Sequence, residues 1–160
     1  MKFNGELTVK APRAAVYDKV RDARFFASCV DGVRDLEEIG PDRYSAVFET
    51  KVAYMKFSFK VTVEVTRADP PHEIEARVEG TPLGIVGRMT ATSLTKLSET
   101  GDETRIEYEV DAALTGKLGS LGQPVLRSKA REMEKQFAGR LAAAFAVPAT
   151  SSSAGPEISP

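Results

Sequence analysis

The chain has 160 residues, of which 42% are hydrophobic and 28% are charged, so we expect one globular domain with an ordinary hydrophobic core. The 22 basic and 23 acidic residues leave a formal net charge of −1, which excludes a global positive field that would recruit nucleic acid or an anionic membrane. The only cysteine is Cys29 and the only histidine is His72, which excludes a disulfide within the chain and a metal site built from these residue types.

The chain carries no signal for membrane insertion or secretion. The longest uninterrupted apolar run is 141–147, far below the ~20 residues that span a bilayer. The opening residues 1–6 contain no apolar core of the kind that a signal peptide needs. We therefore expect a cytoplasmic protein.

The first elements in chain order are a strand and two short helices. Apolar and polar residues alternate over about 2–10, which predicts a strand. Pro12 follows, at a position where the first turn of a helix tolerates proline, and the apolar residues of 14–20 predict a short helix after it. A second short helical turn is predicted over 22–28.

Six further strands follow, separated by short turns. Alternation is clearest over 57–65 and 106–114, where one face is apolar and the other is polar or charged. The other predicted strands are 33–39, 42–51, 73–80 and 86–98. Connections this short favour antiparallel neighbours, because a parallel crossover needs a dozen or more residues. The stretch 33–114 is therefore predicted to be one antiparallel meander.

A long amphipathic helix is predicted to begin near Leu121. Its apolar positions recur at spacings of four or eight, and they are Val125, Met133, Phe137, Leu141 and Phe145. We predict an α+β fold in which this helix packs across a curved seven-stranded antiparallel sheet. Residues 1–147 form this domain, and 148–160 form a flexible polar tail.

Three stretches resemble one protein family. The first is Phe3-Asn4-Gly5-Glu6-Leu7-Thr8-Val9-Lys10-Ala11-Pro12-Arg13 with Val16-Tyr17-Asp18-Lys19-Val20-Arg21-Asp22, the second is Phe26-Ala27-Ser28-Cys29-Val30-Asp31-Gly32-Val33, and the third is Gly116-Lys117-Leu118-Gly119-Ser120-Leu121-Gly122. They are similar to the opening strand and helix, the cysteine turn and the last-helix entrance of the CoxG family of carbon monoxide dehydrogenase proteins. That family lies within the START-like (SRPBCC, helix-grip) superfamily, and the resemblance covers about residues 1–146.

The chain departs from the family pattern at three positions and at its end. Asp31 stands where the family has proline, and Gly119 and Ser120 stand where it has alanine and glutamine. Some members carry a C-terminal apolar segment thought to reach the membrane, whereas this sequence ends in polar residues. The departure puts a built-in membrane anchor in doubt.

The resemblance implies a helix-grip fold with an apolar cavity between the sheet and the last helix. It also implies a non-catalytic accessory protein of a molybdenum-containing carbon monoxide dehydrogenase or a related molybdenum hydroxylase. Such a protein would bind a hydrophobic ligand, a respiratory quinone such as menaquinone or another isoprenoid lipid, without a covalent cofactor. It would aid membrane recruitment of the enzyme or electron transfer to quinone, at a peripheral position on the inner face of the cell membrane.

The expected ligand-binding residues are apolar side chains of the strands and the last helix, together with Tyr108, which adds a polar hydroxyl. They are Phe48, Phe57, Phe59, Ile74, Val78, Met89, Ile106, Tyr108, Leu121, Val125 and Met133. Tyr44 and Tyr108 are candidates for donating a hydrogen bond to a quinone carbonyl, although a core tyrosine bonded to the backbone is also consistent with the sequence. The two glycine-bearing apolar loops are candidates for a cavity entrance at Leu83, Ile85, Leu118 and Gly119. A tight turn that folds Leu83 and Ile85 back onto the core, a patch that touches a membrane or a partner, and an ordinary helix-entry loop are also consistent with the sequence.

Catalytic and metal-binding residues are not expected. Cys29 lies among apolar residues and is predicted to be buried and unreactive, and His72 lies in a turn. Glu107, Glu109 and Asp111 share the polar face of a strand and are predicted to face water.

Two alternatives stay open. A cyclase or aromatase of the same fold would use a polar cavity group, for which Arg88 is the candidate. A docking protein without a ligand would instead fill its cavity with side chains.

Overall fold

A computed structural model describes residues 1–146, and the predicted tail 148–160 lies outside these described residues. The seven strands, in chain order, are β1 (Lys2–Val9), β2 (Val33–Gly40), β3 (Arg43–Val52), β4 (Met55–Asp69), β5 (Glu73–Pro82), β6 (Gly87–Thr100) and β7 (Glu103–Gly116). The helices are α1 (Arg13–Arg21), α2 (Ala23–Ser28) and α3 (Gln123–Ala146). Together they confirm the predicted α+β architecture.

All seven strands form one antiparallel sheet in the order β1-β7-β6-β5-β4-β3-β2. The segment β2 to β7 is the predicted meander, in which each strand pairs with the next. β1 pairs with β7 at the other edge, from Lys2 opposite Asp111 to Val9 opposite Thr104. A bulge between Val65 and Arg67 interrupts the β4–β5 register, and such bulges bend a strand.

Several element boundaries differ from the sequence prediction, most clearly those of β4, β7 and α3. β4 and β7 are longer than the alternating stretches, because the polar ends of the strands continue the hydrogen-bonded ladder into tight turns. α3 begins at Gln123 rather than near Leu121, because Gly119–Leu121 forms a separate 3₁₀ turn. Gly122, with φ of +91°, then redirects the chain into the helix.

α1 and α2 connect β1 to β2, the two opposite edge strands of the sheet. α1 begins after Pro12, whose extended backbone and missing N–H suit a helix start. Asp22 caps α2, because its carboxylate accepts hydrogen bonds from the backbone N–H groups of Arg24 at 2.9 Å and Phe25 at 3.3 Å.

α3 crosses the sheet between its two edges and is tethered at both. On the β1 side, Arg127 donates a hydrogen bond to the Lys2 carbonyl oxygen at 2.9 Å. On the β2 side, Arg140 pairs with Asp31 at 2.6 Å, and the Asp31 N–H donates to the side-chain oxygen of Gln136 at 3.1 Å. The backbone of α3 comes near β1 and β3, so the helix lies over the inner face of the strands between them.

Candidate functional site

The inner face of the sheet holds two separate hydrophobic clusters. The first lies at the end where β1 finishes and includes Val9, Val16, Ile74, Leu97, Ile106 and Leu141, with Phe137 and Phe145 of α3 packed against it. The second lies at the opposite end and is built from Val52, Phe57, Phe59 and Leu118, with Leu121 and Val125 packed against it. Each cluster therefore buries one end of α3.

Between the two clusters runs a strip of smaller side chains that belongs to neither. The residues of this middle strip are Val63, Ala76, Val78, Ala91, Ser93 and Val110. Strand register places them side by side, since Val63 faces Val78, Val78 faces Ala91, and Ser93 faces both Ala76 and Val110. These six are half-buried, although the two-residue period puts them on the same face as the clusters, whereas Ala112, which faces Ala91 on that side, is 7% exposed.

α3 covers the middle strip with a mixed surface. Ala130, Met133, Glu134 and Phe137 are all half-buried on this helix. A sealed core would bury such positions fully, so we interpret their partial exposure as a candidate groove between the helix and the middle of the sheet.

The structure distributes the expected ligand-binding residues over three places. Phe48, Phe57, Phe59, Met89, Leu121 and Val125 belong to or pack against the second cluster. Ile74 and Ile106 lie in the first cluster, 8% and 2% exposed. Val78, Tyr108 and Met133 are half-buried outside both clusters, at the middle strip and the helix above it.

The expected entrance residues gather at one end of the sheet but differ in exposure. Leu83 is 54% exposed, Ile85 packs against the second cluster, and Leu118 is buried in that cluster. Gly119 is exposed and forms the start of the 3₁₀ turn. The two loops that carry these residues touch, because the Lys117 N–H donates a hydrogen bond to the Val86 carbonyl oxygen at 3.2 Å.

These loops and the β3–β4 turn make an exposed surface that we call the apolar tip. Its exposed large side chains are Tyr54, Met55, Leu83 and Val86. The stretches 50–57, 80–88 and 112–122 that form the tip contain no acidic residue, and their basic residues are Lys51, Lys56, Arg88 and Lys117. The tip thus joins apolar side chains to positive charge, although the net charge of the whole chain is close to zero.

An open pocket with a volume of about 420 Å³ lies next to the tip, at the edge of the groove. It is bounded by the end of β7, including Ala112 and Leu114, and by Gly122, Gln123 and Leu126 at the beginning of α3. The pocket marks an opening between β7 and α3.

The most polar contact on the inner side joins Tyr108 of β7 to Glu134 of α3. The Tyr108 hydroxyl donates a hydrogen bond to Glu134 Oε1, and both residues are half-buried. Desolvation, reinforced by the hydrogen bond and the charge of Glu134, raises the pKa of Tyr108 above its usual value. Tyr108, expected to donate to a ligand carbonyl, has its only O–H donor engaged by Glu134 instead.

The remaining polar candidates lie outside the groove. Arg88 is exposed and lies 3.4 Å from Glu79 on the outer face of the sheet. Glu107, Glu109 and Asp111 are exposed, as predicted, and His72 is exposed in its turn. Residues 1–146 contain no cluster of three or more histidine, cysteine or acidic side chains that could hold a metal ion.

Cys29 is buried, as predicted from its apolar neighbours. It is 1% exposed, and desolvation raises the pKa of its thiol. A thiol in this state has little of the nucleophilic thiolate form at neutral pH.

Sequence reasoning missed Glu134 and the small residues of the middle strip. A signal for Glu134 was present, because it lies one turn from Ala130 and from the apolar Phe137 on the inward side of the helix. The small residues Ala76 and Ala91 alternate with longer polar ones, but alternation alone does not tell which of two faces is covered.

The fold and the groove define a START-like, helix-grip protein. The structure is similar to a START superfamily protein from Mycobacterium smegmatis, with a TM-score of 0.69 and 12% identity over 91% of this chain and 97% of that one. The sequence matches the family model of CoxG, described as a subunit of carbon monoxide dehydrogenase, over residues 5–146. The chain therefore belongs to the CoxG family, as its opening, cysteine turn and last-helix entrance suggested.

Two further solved structures share the architecture. A conserved protein from Geobacillus kaustophilus superposes with a TM-score of 0.84 at 26% identity, covering 92% of this chain and 96% of that one. The Zhui aromatase/cyclase from Streptomyces sp. R1128 superposes with a TM-score of 0.61 at 16% identity, covering 97% and 99%. No curated protein gives a significant match to the sequence. Among the helices of residues 1–146, none has the length and apolar character of a membrane span.

Proposed function

We propose that this protein is a non-catalytic accessory partner of a molybdenum-containing carbon monoxide dehydrogenase or a related molybdenum hydroxylase. It binds a hydrophobic ligand, a respiratory quinone such as menaquinone, in the groove between the sheet and α3. It thereby helps membrane recruitment of the enzyme or electron transfer to quinone. Membership of the CoxG family supports the choice of partner.

The observation that carries ligand binding is the half-buried middle strip between two well-packed clusters. Apolar surface left partly in water inside a protein is unfavourable, and a ligand that covers it gains that free energy. Covering about 300 Å² of apolar ligand surface contributes roughly 7 kcal/mol before the costs of association. The same strip weighs against the alternative of a docking protein whose interior is filled by its own side chains.

The cyclase alternative depended on a cationic or acidic group in the cavity. Arg88, its candidate, lies in solvent beside Glu79, so it does not supply that group. The Zhui structure shares the fold at an identity that shows the fold alone. The contacts of Arg88 therefore give the cyclase alternative no support, and the acidic side chain that α3 directs toward the sheet is Glu134, which accepts a hydrogen bond from Tyr108.

The apolar tip is the surface that would meet the membrane. Its exposed side chains, including Tyr54 at 102% and Val86 at 85%, can enter the boundary between headgroups and acyl chains. The flanking lysines attract anionic headgroups, each contributing about 1 kcal/mol near such a surface. In this proposal the apolar tip and the adjacent pocket meet the bilayer, where a lipid-soluble ligand resides.

Ligand binding is tested by blocking the groove without disturbing either cluster. Ala91→Phe puts a large ring into the middle strip, and Thr92→Phe puts the same ring on the exposed outer face of the same strand as a matched control. We expect the wild type and Thr92→Phe to bind menaquinone in a fluorescence titration, and Ala91→Phe to bind at least tenfold more weakly. Absence of menaquinone and of comparable isoprenoids from lipid extracts, together with no binding by the wild type, would refute the proposal.

Membrane contact is tested by flotation with vesicles that contain anionic phosphatidylglycerol or only neutral phosphatidylcholine. We expect the wild type to float with the anionic vesicles, and Tyr54→Asp/Val86→Asp to remain in solution. Ile39→Asp is a control, because Ile39 is also exposed, at 48%, but lies on the edge strand β2, outside the tip. Equal flotation of all three proteins would show that the tip is not the membrane-contacting surface.

A further inference from the structure

Glu134 is an acidic side chain that α3 directs toward the sheet. Its neighbours on that side of the helix are Ala130, Met133 and Phe137, all half-buried. The ion pairs of α3 join Lys129 to Glu132 and Arg140 to Asp31, and Glu134 takes part in neither. Its hydrogen-bond partner among the described residues is the Tyr108 hydroxyl.

The sheet is shaped to hold this pair. Gly5 of β1 lies opposite Tyr108 in the strand register. A Cβ atom at Gly5 would lie 2.6 Å from the Tyr108 hydroxyl oxygen and closer still to Glu134 Oε1. Any other residue at position 5 would displace the two oxygens, so the absence of a side chain there leaves the space that the pair occupies.

The pair offers only hydrogen-bond acceptors to a neighbouring group. The phenol has one O–H, which Glu134 engages, and its oxygen keeps acceptor capacity. An ionised carboxylate has no donor, and it retains a second oxygen and further lone pairs. A ligand group beside the pair is therefore favoured if it carries an O–H, and disfavoured if it presents a carbonyl oxygen.

We propose that the Tyr108–Glu134 pair makes the groove selective for the reduced, dihydroxylated form of a quinone-type ligand over the oxidised form. This inference rests on the proposed function, because it concerns the ligand of the same groove. A ring hydroxyl donates to Glu134, whereas a quinone carbonyl brings a third acceptor toward two others. Hydrogen bonds to charged groups correspond to a preference of roughly 10- to 100-fold.

A consequence is a shift in the reduction potential of the bound ligand. Tighter binding of the reduced form raises that potential, by about 30 mV for each tenfold of preference in a two-electron couple. A quinone bound in the groove would be reduced more readily, and the hydroquinone that forms would stay bound.

The test compares both redox states of one soluble probe, 2-methyl-1,4-naphthoquinone and its dithionite-reduced hydroquinone, by anaerobic calorimetric titration of the full chain. We expect the wild type to bind the hydroquinone at least tenfold more tightly. Glu134→Gln should bring the two affinities within about threefold, because an amide offers a donor as well as an acceptor. Tyr108→Phe should keep the preference, since the carboxylate remains.

Glu132→Gln is the matched control, because Glu132 is an exposed carboxylate on α3 whose partner is Lys129. We expect it to keep the wild-type ratio, and urea unfolding of each variant separates a change in the ratio from a loss of folding. Equal wild-type affinities for the two forms, or an unchanged ratio in Glu134→Gln, would overturn the inference and leave the proposed function standing. Failure of the wild type to bind either form would overturn the inference, and failure to bind menaquinone as well would overturn the proposed function.

Discussion

Replacing Gly5 with alanine tests whether the Tyr108–Glu134 pair is part of the packing of α3 on the sheet. The new methyl group would overlap the hydroxyl oxygen of Tyr108 and the carboxylate of Glu134. Glu134 is the more flexible of the two, so it should move and give up the hydrogen bond from Tyr108. We expect Gly5→Ala to lower the free energy of unfolding by about 1–2 kcal/mol, within the range for overpacked sites.

Gly139→Ala is the matched comparison, since nothing lies within 4 Å of a Cβ atom at that helical position. Alanine in an exposed helix interior is favoured over glycine by roughly 0.5–1 kcal/mol, so this variant should be more stable than the wild type. Urea unfolding followed by circular dichroism measures both, with unchanged m-values as a check on two-state behaviour. A Gly5→Ala protein as stable as Gly139→Ala would show that the pair can relax without cost, which would contradict the packing described here.

Three further predictions concern the core, the phenol and the thiol. Leu141→Ala should lower the free energy of unfolding by about 3–5 kcal/mol, because Leu141 is fully buried in the first cluster. Leu83→Ala at the exposed tip should change it by less than about 0.5 kcal/mol. Equal stability of the two variants would contradict the assignment of the core. Because the folded-state pKa of Tyr108 is raised, the unfolded chain releases that proton first, so stability should fall as pH rises above about 10, and Tyr108→Phe should make the fall shallower in pH-dependent unfolding. Cys29 should react with a thiol reagent only on unfolding, since its thiol is buried and its pKa is raised; rapid reaction of the native protein would refute this.

The order and type of the elements were predictable because local patterns determine them. Strict alternation over 57–65 identified the core of β4, and turn residues such as Gly101 and Asp102 marked the hairpins. The pairing of β1 with β7 was not predictable from periodicity, since it joins segments about a hundred residues apart. The 3₁₀ turn before α3 also escaped prediction, because Leu121 continues the helical pattern although Gly122 breaks it.

The apolar strand faces that contribute to the candidate site were predictable, but the arrangement of their side chains was not. The apolar strand faces led to Phe57 and Phe59, yet these side chains pack in the second cluster rather than along the middle strip. Side-chain size distinguishes the middle strip from the clusters, because the strip contains small residues such as Ala91 and Ser93 where the clusters contain large ones. The partner of Tyr108 depended on how α3 lies over the sheet, which involves contacts between distant parts of the chain.

The two hydrophobic clusters, which stabilise the fold, are separate from the middle strip, which is the proposed ligand site. Each cluster packs against one end of α3, so we expect the helix to remain packed on the sheet even when the residues beneath its middle change. Substitutions at Val63, Val78 or Ala91 can therefore alter the shape and polarity of the groove with little effect on the clusters. Under the proposed function, a few strip residues would determine which ligand fits, while the ends of the sheet keep the same fold.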